Sequence, residues 1–298
     1  MLLSMTTDHA PVGVAVADLP QGRLAYRVAG PAASSGPPVV FAHGVLVDAR
    51  LWDAVAERLA ADGIRSYALT LPLGAHKSPM NPDADLSPRG IAQLMLDFIA
   101  ALGLSDVTIV GNDTGGAICQ IVLGAGTSQV GAAVLTDCDA FGTFPPRAFA
   151  PLFQGLRHPG VVASLLPGLR LEKVRHGRLA YGPLSSGPLD RGLTRDWIEP
   201  LSSKGIRRDL AKFARGVSPR VLLDAASRFG EFTGPVRILW GEDDPFFRAE
   251  LGQQLSEAFP RATLTTVPGG RTFLPVDHPG EVAREITAAI RDAAPRRA

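Results

Sequence analysis

The sequence predicts an α/β fold: a mostly parallel sheet flanked by helices and interrupted by a helical insertion. Three observations carry that reading. Strand-like and helix-like segments alternate through the first half of the chain, the order in which a parallel sheet is built with crossover helices. Pro38–Ala42 is a short, wholly apolar run entered from the Gly/Pro/Ser loop at residues 30–37, as expected of a strand covered on both faces. After Phe144-Pro145-Pro146, strand-like alternation disappears until Val236–Trp240, leaving a long stretch for helices.

In chain order, Gly22–Val28 reads as an early strand and Pro38–Ala42 as the buried one. Leu51–Ala61 has the apolar spacing of a helix. Arg65–Leu71 is the next strand candidate, stopped by Pro72 and Gly74. Ser87-Pro88 is a favourable cap and first-turn pair, and the apolar stripe behind it predicts a helix to Leu102. Asp106–Val110 is a short strand, Thr114–Ala125 a helix rich in small residues, and Val130–Thr136 a further strand. Beyond the insertion come a strand at Val236–Trp240, a helix at Arg248–Phe259, a strand at Thr263–Val267 and a last helix from Pro279. The resulting organisation is a core of residues 1–142 and 233–298 with a helical cap of residues 143–232.

Composition bounds the partners. The chain has 298 residues and a net charge of +1, which gives no global attraction to nucleic acid or anionic membrane. The insertion is an exception, with 15 Lys and Arg against 7 Asp and Glu in residues 143–232. That asymmetry suits either an anionic substrate or solvated helix faces. The two cysteines, Cys119 and Cys138, have neither metal-ligand nor paired redox spacing. Residues 1–5 contain no basic residue before a very short apolar run, unlike a signal peptide. A cytoplasmic protein acting on a small molecule is the expectation, with no nucleic acid or membrane partner. A homodimer is compatible with the sequence. No metal-ligand cluster or dinucleotide fingerprint is present, so no cofactor is expected.

The chemistry concentrates at Gly111-Asn112-Asp113-Thr114-Gly115-Gly116, which joins a strand directly to a helix. A sharp turn in that context displays its central side chain over the sheet edge, as a nucleophile requires. A phosphate cradle fits poorly, because no Lys follows the glycines and Asp113 would repel phosphate. The chain resembles the α/β-hydrolase superfamily over nearly its full length. Asp113, where most members carry Ser, places the likeness with haloalkane dehalogenases and epoxide hydrolases. A carboxylate nucleophile attacks an alkyl carbon and forms an ester. His43-Gly44-Val45 looks like the family's oxyanion loop, which implies backbone N–H donors from Val45 and Thr114. Trp52 falls where those relatives also carry Trp, and with His43 and Thr272 it is expected near the substrate pocket. His43 reads better as a structural member of its loop than as a base.

Leu239-Trp240-Gly241-Glu242-Asp243-Asp244 looks like the family's acid loop and puts the acid on Asp244. Asp137 and Asp139, ending the preceding strand, are second-rank candidates. Pro268-Gly269-Gly270-Arg271-Thr272-Phe273-Leu274-Pro275 matches the segment that usually carries the catalytic histidine, and Thr272 stands in its place. Threonine cannot accept a proton near neutral pH, so release of the ester loses its usual activator. His76, in a loop that the family places near the pocket, is the substitute base to consider. His278 reads as solvent-facing, and His9, His158 and His176 as surface residues.

The dehalogenase pattern would also need Asn at Val45 and Trp at Thr114 to hold halide, and both are missing. Epoxide hydrolases commonly use two cap tyrosines, whereas the insertion holds only Tyr181; Tyr26 and Tyr67 read as packing residues. Three functions stay open. The first is an Asp113-nucleophile hydrolase for a small or medium apolar epoxide or alkyl halide. The second is a non-hydrolytic lyase, isomerase or cyclase using Asp113 as base or anchor. The third is a catalytically silent binding protein.

Overall fold

The protein is described by a computed structural model covering residues 12–34, 36–178 and 180–293. The N-terminal segment read above and His9 lie outside the described residues. Strands β1 (Gly13–Leu19), β2 (Gly22–Ala29) and β3 (Val39–Ala42) lead to helix α1 (Asp53–Ala61), β4 (Ser66–Leu69) and α2 (Pro88–Ala101). Then come β5 (Val107–Asp113), α3 (Thr114–Gly124) and β6 (Val130–Cys138). Among the described residues one eight-stranded sheet runs in the order β1-β2-β4-β3-β5-β6-β7-β8, completed by β7 (Val236–Gly241) and β8 (Ala262–Val267). β1 and β2 pair antiparallel, as do β2 and β4; every later pairing is parallel. This is an α/β-hydrolase fold.

β3 shows why the centre reads as an unbroken apolar run. Val40 and Ala42 enter one core cluster while Val39 and Phe41 enter the other, and all four side chains are buried. Helices α2 and α3 cover the first face with residues such as Ile91, Leu94 and Ile118. Helices α1 and α12 (Pro279–Ala293) cover the second with Val55, Leu59, Val282 and Ile286. Helix α2 begins as its sequence predicts: Ser87 Oγ accepts the Gly90 N–H at 3.2 Å, and Pro88 fills the first turn. β1 is the element that sequence periodicity did not reveal. It is an edge strand with apolar residues on both faces, Val14 and Val16 toward solvent and Ala17 and Leu19 in the core, so no polar–apolar alternation marks it.

Between β6 and β7 lie the helices α4 (Ala150–Leu156), α5 (Pro159–Arg170), α6 (Glu172–Arg175), α7 (Arg191–Ile198), α8 (Lys204–Gly216) and α9 (Pro219–Ala226). The last part of the chain adds α10 (Ala249–Ala258) and the short α11 (Leu274–Asp277). The helical insertion is fastened across the strand ends. The Tyr181 hydroxyl donates to the Leu46 carbonyl, the Phe273 N–H to the Leu184 carbonyl at 2.7 Å, and the Met80 N–H to Asp209 at 2.8 Å. Several of its cations form exposed ion pairs, among them Arg170–Glu199 and Arg191–Glu172. Among the described residues no helix is long and apolar enough to cross a membrane.

Candidate active site

β5 runs directly into α3, and Asp113 sits at the junction with φ 54° and ψ −129°. A non-glycine residue held there stores roughly 1–3 kcal/mol of backbone strain. The turn survives because Gly115 lets α3 lie against β3; a methyl group there would strike the Ala42 carbonyl. The strain turns the carboxylate out of the sheet toward the insertion. A second glycine makes room for it: a methyl on Gly44 would land on Asp113 Oδ2.

The backbone N–H groups of Thr114 and Val45 face this carboxylate. Thr114 contributes the free donor of a helix N-terminus, where the dipole also favours negative charge. These two contacts are outweighed by burial, which with the nearby Asp244 charge pushes the Asp113 carboxyl up to about 7. Asp113 is enclosed by protein but keeps partial exposure through a cavity of about 100 Å³. That cavity is lined by Val45, Leu46, Thr114, Asp139, Phe149 and Tyr181, with Phe153, Leu169, Leu184 and Ile198 adding apolar wall. No Lys, Arg or His lines it among the described residues. The basic surplus of the insertion therefore faces elsewhere.

Behind Asp113, acids gather at the carboxyl ends of adjacent parallel strands, the usual place for a site in an open α/β sheet. Asp244 follows β7. Its Oδ1 accepts the N–H groups of Phe246 and Phe247 at 2.7 and 2.9 Å, and its Oδ2 accepts the Thr272 hydroxyl at 2.7 Å. Thr272 is thus the side chain that occupies Asp244 Oδ2. It is fully buried, and Asn112 Nδ2 donates to its carbonyl at 2.6 Å, tying the Asp113 turn to this loop. Asp137 Oδ1 accepts the Gly241 N–H at 2.8 Å, and burial holds its carboxyl well above the usual range. Asp139 lines the cavity beside Asp113.

A family model for the alpha/beta hydrolase family matches residues 39–285. The chain belongs to the alpha/beta hydrolase family. It is 28% identical over 234 residues to a 2-hydroxy-6-oxononadienedioate/2-hydroxy-6-oxononatrienedioate hydrolase of Dechloromonas aromatica, covering 76% of this chain and 77% of that protein. An enzyme of the same description from Paraburkholderia xenovorans is 30% identical over 242 residues, covering 78% of each. Among solved structures, the haloalkane dehalogenase DbeA from Bradyrhizobium elkani superposes with a TM-score of 0.76 at 18% identity, covering 95% of this chain and 99% of the other. At that identity the likeness is one of fold.

Within this alpha/beta hydrolase, four residues expected as substitute base or at the substrate pocket do not line the Asp113 cavity; one of them is Thr272, which bonds Asp244 instead. His76 does not line the Asp113 cavity. Its Nε2 lies 3.3 Å from Asp209 Oδ2 on α8, and it borders a separate groove of about 300 Å³ with Asp48, Arg50 and Lys77. The two spaces share no lining residue. Burial lowers the His76 pKa, with Asp209 acting in the opposite direction. Trp52 is fully buried and stacks on Phe41 at 4.6 Å rather than facing the cavity. His43 is also fully buried, with both ring nitrogens engaged: Nδ1 lies 2.8 Å from the Gly44 carbonyl, and Nε2 accepts the Leu71 N–H at 2.9 Å. Burial takes its pKa down to about 4, so it is a neutral brace for the Gly44–Val45 loop. His278 is half-buried, His176 bonds Thr194 at 2.9 Å, and His158 is exposed. Tyr26 and Tyr67 pack with Phe98. Among the described residues no cluster of three or more His, Cys, Asp or Glu is arranged to hold a metal ion.

Proposed function

We propose that the chain is a hydrolase-type enzyme whose Asp113 carboxylate attacks a small or medium apolar electrophile, an epoxide or alkyl halide, forming an ester. One observation carries the reading: a strained strand-to-helix turn aims the only partly exposed carboxylate of Asp113 into an apolar cavity, between two backbone N–H donors. A carboxyl that titrates near 7 is also a stronger nucleophile, once ionised, than an ordinary surface aspartate. In this reading residues 143–232 act as a cap over the core of 1–142 and 233–298. The Val45 and Thr114 amides would hold the oxyanion that forms when water attacks the ester. Thr272 polarises nothing basic, so that second step lacks the usual activation.

The hydrolase names of the relatives support a hydrolytic reaction, but their dienedioate substrates do not transfer readily. A dicarboxylate entering a cavity lined by Asp113 and Asp139, with no cation among the described lining residues, would meet like charge. A second reading is favoured by the same titration behaviour: a carboxyl near 7 suits a general base, and Asp113 could serve a lyase, isomerase or cyclase without covalent bonding.

The test is to incubate the protein with panels of epoxides and alkyl bromides beside Asp113→Asn, reading intact mass, peptide mass and product. An ester on the Asp113 peptide, or product formation, that vanishes in the variant supports the nucleophile. If a folded protein binds these ligands yet forms neither, covalent displacement is wrong and Asp113 is a base or a binding group.

A further inference from the structure

We propose that Asp139 is the proton donor to the departing oxygen when Asp113 opens an epoxide. The inference rests on the reading of Asp113 as nucleophile. The sheet register brings the two acids together, because Asp113 pairs with Cys138 across β5 and β6, and Asp139 is the next residue. Gln120 Nε2 donates to the Asp139 carbonyl at 2.7 Å and anchors its backbone. The side chain is 1% exposed and lines the cavity. Its two oxygens are treated differently: Oδ2 accepts the Thr114 hydroxyl at 3.4 Å, whereas the buried Oδ1 has no hydrogen-bond partner in the protein.

A buried carboxylate oxygen left without a donor is costly. A proton on Oδ1 removes the charge, and a substrate oxygen in the cavity supplies the acceptor that this proton lacks. Burial, and next the Asp113 charge, do hold the Asp139 carboxyl well above the usual range. Competing donors are committed elsewhere. The Tyr181 hydroxyl donates to Leu46, that of Thr272 to Asp244, and that of Thr114 to Asp139 itself.

The step balances without a histidine. An Asp113 oxygen bonds to a ring carbon, the C–O bond breaks, and the departing oxygen takes both the electron pair and the Asp139 proton. A 2-hydroxyalkyl ester and an Asp139 carboxylate result. That carboxylate lies beside the ester and accepts a proton from the attacking water. Hydrolysis then releases the diol and returns one proton to the Asp113–Asp139 pair, as at the start. A departing halide needs no proton and would meet a carboxyl group instead of N–H donors, so oxygen leaving groups suit this cavity better.

The experiment mixes wild type, Asp139→Asn and Asp113→Asn with styrene oxide and, separately, phenethyl bromide. Rates of Asp113 ester and product formation are read by mass, with thermal unfolding as the folding control. In Asp139→Asn the ratio of epoxide to bromide rates should fall by ~10²-fold or more; an unchanged ratio in a folded variant overturns the inference alone. No Asp113-dependent chemistry with either probe in wild type overturns the nucleophile reading and this one with it. Wild type gives a second readout should the variant not fold. Epoxide opening needs one carboxylate and one carboxylic acid, so its rate should be bell-shaped in pH, whereas bromide alkylation should rise and level off. Identical profiles overturn the inference. Among the described residues the other titratable groups around the pair are Asp244, Asp137, the Cys138 thiol and the Tyr181 hydroxyl, and burial raises all four.

Discussion

Replacing Asp113 by Asn should stabilise the protein in mildly alkaline solution and do so much less in acid. The carboxyl rises from 3.8 to about 7 on folding, chiefly through burial and then through the Asp244 charge, against the opposing N–H groups of Thr114 and Val45. At ~1.4 kcal/mol per pH unit, a rise of about three units sets a ceiling of ~4 kcal/mol on the penalty for holding this charge. The sign follows from proton binding. Because the folded pKa is raised, the folded protein keeps a proton that the unfolded chain releases. The stability so gained is fully present below pH 3.8 and is lost as pH climbs through about 7. Asn has no proton to lose. Between pH 5 and pH 8 the variant's advantage over wild type should therefore grow by ~2 kcal/mol, after allowing for the carboxyl's opening into the cavity. Urea unfolding of both proteins at several pH values measures it, and the change in the difference cancels groups that titrate alike in both. A flat difference across this range, or one that shrinks as pH rises, would refute the dry, charge-crowded setting assigned to Asp113.

Two further outcomes test the neighbouring parts of the site. On the proposed nucleophile reading, Thr272→His places a base on Asp244, and release of the ester left by an alkyl bromide should accelerate by ~10²-fold to 10⁴-fold, measured as decay of the adduct mass; unchanged decay in a folded variant would mean that water does not approach from that side. Gly44→Ala forces either the loop or the carboxylate to move, since the new methyl falls on Asp113 Oδ2, and a displacement of about 1 Å should cost ~10²-fold in alkylation rate; a wild-type rate would show that the Gly44 loop gives way freely.

How far the sequence discloses this site depends on how locally each residue is constrained. The turn around Asp113 is legible because its glycines, strand and helix are contiguous and its geometry admits few alternatives. The Ser87-Pro88 start of α2 is legible for the same reason. The bond from Thr272 to the Asp244 loop follows from a segment framed by prolines and glycines on both sides, whereas its expected place in the pocket wall is not where the fold puts it. His76 and Trp52 mislead because their partners are distant in sequence. Asp209, 133 positions away on the insertion, claims the histidine, and Phe41 on β3 claims the tryptophan ring. No periodicity in either local segment foretells those pairings.

Asp139 is the instructive case, since as a residue after a strand it looks like any acid in a turn. Its proposed role rests on register: with β5 and β6 parallel and Asp113 opposite Cys138, one more residue carries a second carboxyl to the first. Parallel strands end on the same side of the sheet, so acids at consecutive strand ends are forced into one crevice wherever they lie in the chain. Where such a crevice has no lining cation or histidine among the described residues, repulsion and burial favour keeping a proton among the carboxyls. Asp137 Oδ2 and Asp139 Oδ1 are both buried without a hydrogen-bond partner, and Asp139 is the one of the two that also lines the cavity, which is why the proposed proton transfer is assigned to it.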